Sequence, residues 1–319
     1  MTEMYAPLVS IIIPCKNIDN YLMQCIEKIK ELKYKNFEII VLPDSGEHSQ
    51  TLNLIIYPTG PISPGAKRNI GQRLAKGDIF AYIDSDAYPT ADWLTNAVKY
   101  IQNGINVIGG PGLTPPEDNE KQEAGGYILS SKAMGGLSSR YSIHGLHKTD
   151  LIHSVNMIVK KEIMEKVGGW DERLWPGEDA QICYKFRKLG IELYESGDVV
   201  VYHHRRSLFI PHLKQIAAYA KYRGYLSKNY GWQMVRLIYL LPSILLIYLF
   251  FGIIFSLFNN YFREIFLATF IIYIILILIM SLMASKKKSL FLLVFFGTIL
   301  THITYGVYFF VGLLTGVKK

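Results

Sequence analysis

Residues 65–89 read GAKRNIGQRLAKGDIFAYIDSDAYP. Gly65 precedes a helix-like stretch, 66–75, with Lys67 and Arg68 at its start, and 79–83 follows as an apolar run of strand length. That run stops at Asp84-Ser85-Asp86. Carboxylates at i and i+2, just past a buried strand, can approach a divalent cation and a diphosphate together. Mg2+ and Mn2+ take oxygen ligands and often use one or two carboxylates plus phosphate. Alone, the tripeptide reads equally well as a capped turn before Pro89. The pattern around it gives it weight.

On the N-terminal side, 8–14 (LVSIIIP) is a β-branched run ended by Pro14, and 37–42 (FEIIVL) is a second strand. Between them, 20–32 spaces Leu22, Ile26 and Ile29 as an amphipathic helix does. A short strand is expected at 54–57, a helix at 91–103 with Asp92 as its cap, and a strand from 107. Further strands fall at 155–160 and 199–202, and helices at 161–167 and 180–189. This alternation predicts an α/β fold on a doubly wound, mostly parallel sheet. Neither G-x-G-x-x-G after the first strand nor G-x-x-x-x-G-K-[ST] is present, which argues against a dinucleotide-dependent dehydrogenase or a P-loop kinase. The Gly-, Ser- and Pro-rich stretch 110–154 is longer than an ordinary connection and reads as a lid or substrate-binding segment. His144, His147 and His153, in or beside it, suit substrate binding, packing or solvent equally.

Ligands of such sheets lie beyond the C-terminal strand ends. The first strand delivers Pro14-Cys15-Lys16-Asn17 there, the second Asp44-Ser45, and the last His203-His204-Arg205-Arg206. Asp44 can form a turn or accept from a base or ribose. Lys67 or Arg68 can meet a phosphate at a helix N-terminus. Glu178 and Asp179 can cap the helix that follows or supply a general base. Trp170 and Trp175 can stack on a sugar or fill the core. His203 and His204 point to opposite faces of a strand and have no partner at metal-binding spacing, so zinc is not expected there. The neighbouring cations fit a leaving diphosphate or a lipid phosphate better.

Half of the 319 residues are hydrophobic and 19% are charged, against about 25% charged in an ordinary soluble domain. The apolar excess collects at the C-terminus. Stretches 237–262, 265–285 and 289–317 carry no formal charge and are 26, 21 and 29 residues long, each enough for the ~20-residue helix that crosses a bilayer. Lys286–Lys288 between the last two, and Lys221, Arg223, Lys228 and Arg236 before the first, place the soluble half on the cytoplasmic side. Lys318 and Lys319 then fall outside. Residues 208–236 mix basic side chains with Tyr219, Tyr222, Tyr225, Tyr230 and Trp232 and read as one or two interfacial helices, broken near Gly224 and Gly231. The expected organisation is 1–207 catalytic, 208–236 interfacial and 237–319 transmembrane with about three helices. Much of the +8 net charge sits beside these spans, so nucleic acid is not an expected partner. Cys15, Cys25 and Cys183 show no metal spacing and cannot all pair, as expected of a reduced compartment. The first residues have no basic region before their short apolar run, so no signal peptide is expected.

In order along the chain stand VSIIIPCKN, Asp44-Ser45, GAKRNIGQRLAKGDIFAYIDSDAYP, GGWDERLWPGEDAQICYKFRKLG and a basic element after the last strand. This ordered set, from about residue 7 to about 224, resembles the catalytic domain of glycosyltransferase family 2, of the GT-A nucleotide-diphospho-sugar transferase type. With its tail, the chain looks like a bacterial or archaeal membrane enzyme of polysaccharide or glycolipid assembly. The resemblance implies that Pro14, Asn17 and Asp44 hold the nucleoside, that Lys67 and Asp84 lie at the nucleotide end, and that Asp86, with Asp84, binds Mg2+ or Mn2+. Asp179, in Glu178-Asp179, would be the general base, and Trp170 and Trp175 would face the acceptor. Arg205, Arg206 and Arg223 would add charge at the leaving diphosphate. The implied reaction is an inverting, metal-dependent transfer of one sugar from a nucleotide-diphosphate sugar, UDP-linked, to a hydroxyl of a lipid-linked, polyprenyl-borne glycan. Alternatives are transfer to polyprenyl phosphate itself, a processive polysaccharide synthase, and a non-enzymatic nucleotide-sugar-binding membrane protein. The Gln-x-x-Arg-Trp motif of processive synthases is absent; Tyr222-Arg223-Gly224 stands in its place. The oligomeric state is left open.

Overall fold

A computed structural model describes residues 6–230 and 237–315. The chain forms two compact units. The first comprises the chain up to Leu113 together with Ser142–His204; the second comprises Thr114–Tyr141 and the chain from Arg205 onward.

The first unit begins with β1 (Val9–Pro14), α1 (Asn20–Lys30), β2 (Phe37–Leu42), β3 (Ser49–Gln50), β4 (Leu54–Ile56), α2 (Pro64–Leu74), β5 (Ile79–Tyr82), β6 (Ala87–Pro89), α3 (Trp93–Gln102), β7 (Val107–Gly109) and β8 (Gly112–Leu113). The second unit then contributes α4 (Glu120–Ser130) and a 3-10 stretch, Lys132–Tyr141. The chain returns to the first unit through β9 (His147–Thr149), β10 (Met157–Lys160), α5 (Lys161–Lys166), α6 (Glu178–Lys188), β11 (Leu193–Glu195) and β12 (Val201–His203).

Local chemistry sets the helix starts. The Asp19 carboxylate accepts from the Leu22 N–H at 3.0 Å to cap α1, and Ser63 caps α2 with Pro64 in its first turn. Asp92 stands at the N-cap of α3 but makes no capping bond; its carboxylate is taken by Lys33 at 2.9 Å. Every residue of β1 is buried, as a central strand covered on both faces must be. Val9, Ile11 and Ile13 join the core shared with α1 and α3, while Ile12 faces the core shared with α2 and α6.

The nine-stranded sheet has the order β3-β4-β2-β1-β5-β10-β7-β11-β9. It is mixed rather than mostly parallel, which corrects the sequence expectation. β4, β2, β1 and β5 run parallel in sequence across the sheet, and β7 and β11 are parallel, but β3, β10 and β9 are antiparallel to their neighbours. The cause is the excursion after β7. Met157, the first residue of β10, pairs with Gly109 and Tyr82, the last residues of β7 and β5. The chain re-enters the sheet at the end where those strands finish, so β10 runs back without a crossover helix. A small second sheet, β6-β12-β8, lies in the same unit.

The second unit continues with α7 (Ile210–Tyr230), α8 (Leu241–Phe258), α9 (Asn260–Ala284) and α10 (Phe291–Thr315). Three helical segments, Ile238–Phe258, Asn260–Ala284 and Lys288–Thr315, are long and apolar enough to cross a membrane. The third differs in that 44% of its apolar window is buried against 11% for each of the others, so α10 is the helix around which the unit packs. Arg263 and Glu264 fall within the first turns of α9 rather than between helices, because Asn259 makes the break and caps α9 through the Tyr261 and Phe262 N–H groups. The expected break at Gly224 is absent, and α7 runs through it. A Cβ there would lie 2.1 Å from the Phe309 carbonyl oxygen, and one at Gly312 would lie 1.8 Å from that of Lys221. The two glycines let the backbones of α7 and α10 meet. Gly231, Trp232, Arg236, Lys318 and Lys319 lie outside the described residues.

Gly312→Val should therefore lower the thermal unfolding midpoint of the purified full-length chain, with a loss of about 1–3 kcal/mol or more, the usual range for overpacking.

Candidate functional site

The floor of the site is set where β1, β2 and α2 meet. The Lys67 side chain is buried, and its ammonium donates to the carbonyls of Cys15 at 2.5 Å and Leu42 at 3.1 Å and to the Asp44 carboxylate. Lys67 thus ties two strand ends and the Asp44 turn together. Pro14 is buried at the end of β1, and Asn17 is exposed just beyond it. Burial pushes the Cys15 thiol up to about 11 against the opposing charge of Lys67, so it stays protonated and unreactive at neutral pH.

Arg68 is the hub, with only 2% of its surface exposed. Its guanidinium donates to Asp84 at 2.9 Å, at the end of β5, and to Glu178 at 3.1 Å, in the first turn of α6. Its Cζ lies 4.9 Å from the centre of the Trp170 ring, which meets Tyr82 edge-on. Burial alone would favour discharge, but the carboxylates of Asp84, Glu178 and Asp179 outweigh it and hold the charge. The phosphate role considered for Arg68 does not fit this placement, since its charge is matched inside the fold. Trp170 is likewise a core residue, packed and buried. Trp175 is 63% exposed and is the tryptophan of the pair that a ligand can reach.

Glu178 and Asp179 have separate environments. Glu178 is buried, accepting from Arg68 and from the Gly177 N–H at 2.9 Å. Asp179 keeps 23% of its side chain exposed; it accepts from the Ser154 N–H at 3.1 Å, and the His153 Nδ1 lies 3.6 Å from its other oxygen. Desolvation, reinforced by the Glu178 charge and opposed by Arg68, pushes the Asp179 carboxyl up to about 7. A carboxylate poised near neutrality and open to solvent on one side can accept a proton from a hydroxyl.

Asp84, Asp86 and His203 come together, each offering a ligand atom within 4.8 Å of the others. The His203 Nε2 is 3.3 Å from an Asp86 carboxylate oxygen. Sequence reasoning missed His203 as a partner of the acidic pair. The antiparallel register of β12 on β6, with His203 opposite Ala87, brings it beside Asp86; only the polar ending of the last strand hinted at this. His204 turns away, as strand alternation requires: its ring packs at a tilt against Tyr21 and meets the Gln24 side chain. Two carboxylates and an imidazole form an O,O,N donor set that suits Mn2+ well and is less typical of Mg2+.

The three arginines assigned to the leaving diphosphate fall in the second unit. Arg205 is buried there, its Nε donating to the Thr114 hydroxyl at 3.2 Å and its guanidinium lying over the Tyr141 ring. Arg223 donates to the Tyr305 hydroxyl at 3.3 Å and lies 4.2 Å over Tyr239. Both are engaged in packing the helical unit, whereas Arg206 is exposed.

Residues 10–168 match the family model described as glycosyl transferase family 2. A dolichyl N-acetyl-α-D-glucosaminyl phosphate 3-β-D-2,3-diacetamido-2,3-dideoxy-β-D-glucuronosyltransferase of Methanococcus voltae is 25% identical over 240 residues, covering 68% of this chain and 73% of its own length. Glycosyltransferase AglE of Haloferax volcanii is 24% identical, with 63% of this chain and 68% of its own length covered. Among solved structures, a mannosyltransferase from Pyrobaculum calidifontis, in complex with GDP-Man and Mn2+, matches 99% of this chain and 89% of its own. Its TM-score is 0.58 at 16% identity, a likeness of fold. The chain belongs to a glycosyltransferase family and has a GT-A-like fold with C-terminal apolar helices.

Arg68→Met should destabilise the protein by about 3–5 kcal/mol, the cost of stranding the buried Glu178 carboxylate, as read by denaturant unfolding. Arg68→Lys should recover part of this, since an ammonium cannot reproduce the guanidinium's fork between two carboxylates.

Proposed function

We propose that the protein transfers one sugar, with inversion, from a nucleotide-diphosphate donor to a hydroxyl of a lipid-linked glycan at the cytoplasmic face of the membrane. The observation that carries this reading is the placement of Asp179: its side chain keeps 23% exposure and is held by the Ser154 N–H, next in sequence to a Glu178 whose charge Arg68 takes up. In the proposed step Asp179 accepts the proton of the acceptor hydroxyl as that oxygen attacks the sugar C1. The bond from C1 to the diphosphate oxygen breaks with its electron pair on the leaving group. One displacement by a general base inverts the anomeric centre and needs no covalent sugar–enzyme intermediate.

Asp86, with His203 and the Asp84 oxygen not given to Arg68, would hold Mn2+ or Mg2+. The cation supplies positive charge to the departing diphosphate. Asp44 and Asn17 are the nucleoside candidates, with Lys67 shaping their floor. Trp175 offers a face to the acceptor sugar. A UDP-linked donor is the first to test, with GDP-linked donors in the same panel. The similarity to a Methanococcus voltae enzyme named for a dolichyl-phosphate-linked substrate supports a lipid-borne acceptor. So do three helices able to span a bilayer. Lys286–Lys288 favour the cytoplasmic side for the catalytic unit, and α7 would lie at the headgroups.

With membranes, a donor panel and extracted lipid acceptors, mass spectrometry should show a single sugar added to a lipid-linked glycan. A sugar on bare polyprenyl phosphate, or a ladder of masses, would replace this reading with one of the two alternatives. The kcat/KM of transfer should rise with pH and level off above about pH 7, and Asp179→Asn should lower kcat by about 10²–10⁴-fold while donor binding persists. Near-wild-type turnover in that variant would remove Asp179 as base. Asp86→Ala should abolish the Mn2+ dependence of donor affinity measured by calorimetry; an unchanged metal titration would reject Asp86 as a ligand.

A further inference from the structure

The geometry points to a second divalent-cation site, built from His144, His147 and Glu195 at the sheet edge and suited to Zn2+. His147 in β9 and Glu195 in β11 are register partners. The His147 Nε2 stands 3.8 Å from a carboxylate oxygen of Glu195, a residue only 2% exposed. His144, three positions before His147, brings its ring edge-on to it with centroids 4.4 Å apart. One ligand atom from each residue lies within 4.8 Å of the other two.

The ring hydrogen bonds show which nitrogens are available. The Nδ1 atoms of both histidines lie within hydrogen-bond distance of one carbonyl oxygen, that of Gly145, at 3.0 Å for His144 and 3.1 Å for His147. A carbonyl only accepts, so each Nδ1 donates to it, which in the neutral form of either ring leaves the lone pair on Nε2. This is the outer-shell arrangement that orients metal-binding histidines. The His144 Nε2 is buried and has no hydrogen-bond partner, a lone pair withdrawn from water with nothing to use it. The backbone is also fixed. The Gly197 N–H donates to the His144 carbonyl at 2.8 Å, and a Cβ at Gly197 would lie 2.1 Å from that oxygen.

Two imidazoles and one carboxylate leave the fourth position of a tetrahedral ion open for water. With Zn–N bonds of about 2.0–2.1 Å, ligand atoms sit about 3.3 Å apart, so small side-chain rotations close the cluster. The site is separate from Asp84, Asp86 and His203, since β10 and β7 lie between β5 and the β11–β9 edge. It pins the short edge strand β9 to β11 just after the chain returns to the first unit at Ser142.

The test uses full-length protein in detergent with Asp86→Asn as the parent, which silences the donor-side cation. After equilibration with Zn2+ and removal of excess, elemental analysis should find one Zn2+ per chain. Adding His144→Gln or His147→Gln should weaken Zn2+ binding by about tenfold or more. It should also remove the Zn2+-dependent rise in unfolding temperature, while circular dichroism without metal stays the same. His144 lies in a loop, so at least one of the two variants is expected to fold. A Co2+-loaded parent should show the visible absorption of a tetrahedral nitrogen–oxygen site, absent in both variants. No Zn2+ uptake by the parent, or equal uptake in parent and variants, overturns the proposal and leaves the cluster as a His147–Glu195 ion pair.

Discussion

A guanidinium buried to 2% exposure has to be matched in charge and hydrogen bonds, and the first unit is arranged around meeting that requirement for Arg68. The side chain comes from the first turns of α2, Asp84 from the end of β5, and Glu178 from the start of α6. Three elements distant in sequence are thereby held at one point, with the Trp170 ring beneath. Removing water from this cluster strengthens each interaction in it and raises the penalty for any unmatched member. Lys67 does the same one residue earlier, where it joins the ends of β1 and β2 to Asp44.

From this follows a division of labour between neighbouring residues. Glu178 gives its charge to Arg68, so Asp179, beside it, sits in a desolvated place with a like charge near and only partial compensation. That is the setting that raises a carboxyl toward neutrality. The same pattern recurs at the other strand ends. Asp84 faces the arginine and Asp86 faces His203, while His203 joins the acidic pair and His204 packs against Tyr21. In the Glu178–Asp179 pair one carboxylate is taken up by the buried arginine while its neighbour keeps an exposed face.

The alternation of strands and helices was legible because β1, β2 and β5 are apolar runs ended by polar residues, and α1 and α3 have clear apolar faces. The Asp84-Ser85-Asp86 segment was visible for the same reason, and Glu178-Asp179 as an acidic pair just ahead of a helix. What the sequence hid depends on pairing between distant segments. The reversal of β10 follows from where the chain re-enters the sheet, and His203 reaches Asp86 only through the β12–β6 register. Lys67 and Arg68 looked like phosphate ligands because helix starts commonly bind phosphate; their burial against Asp44, Asp84 and Glu178 is a tertiary fact. Gly224 looked like a helix break because glycine weakens helices, yet it marks where α10 packs against α7. Single residues in 208–236 carry packing information that composition averages away.

The helical unit accounts for the apolar tail, with α10 the most buried of three helices long and apolar enough to cross a membrane and α8 and α9 more exposed. The central claim, however, concerns Asp179, and the most direct measurement is its own titration. Infrared difference spectra of the full-length protein, compared with Asp179→Asn, would isolate its carboxyl band. The account predicts a protonated carboxyl that disappears with a midpoint near 7 and is missing from the variant. A midpoint in the ordinary aspartate range, about 4, would contradict it.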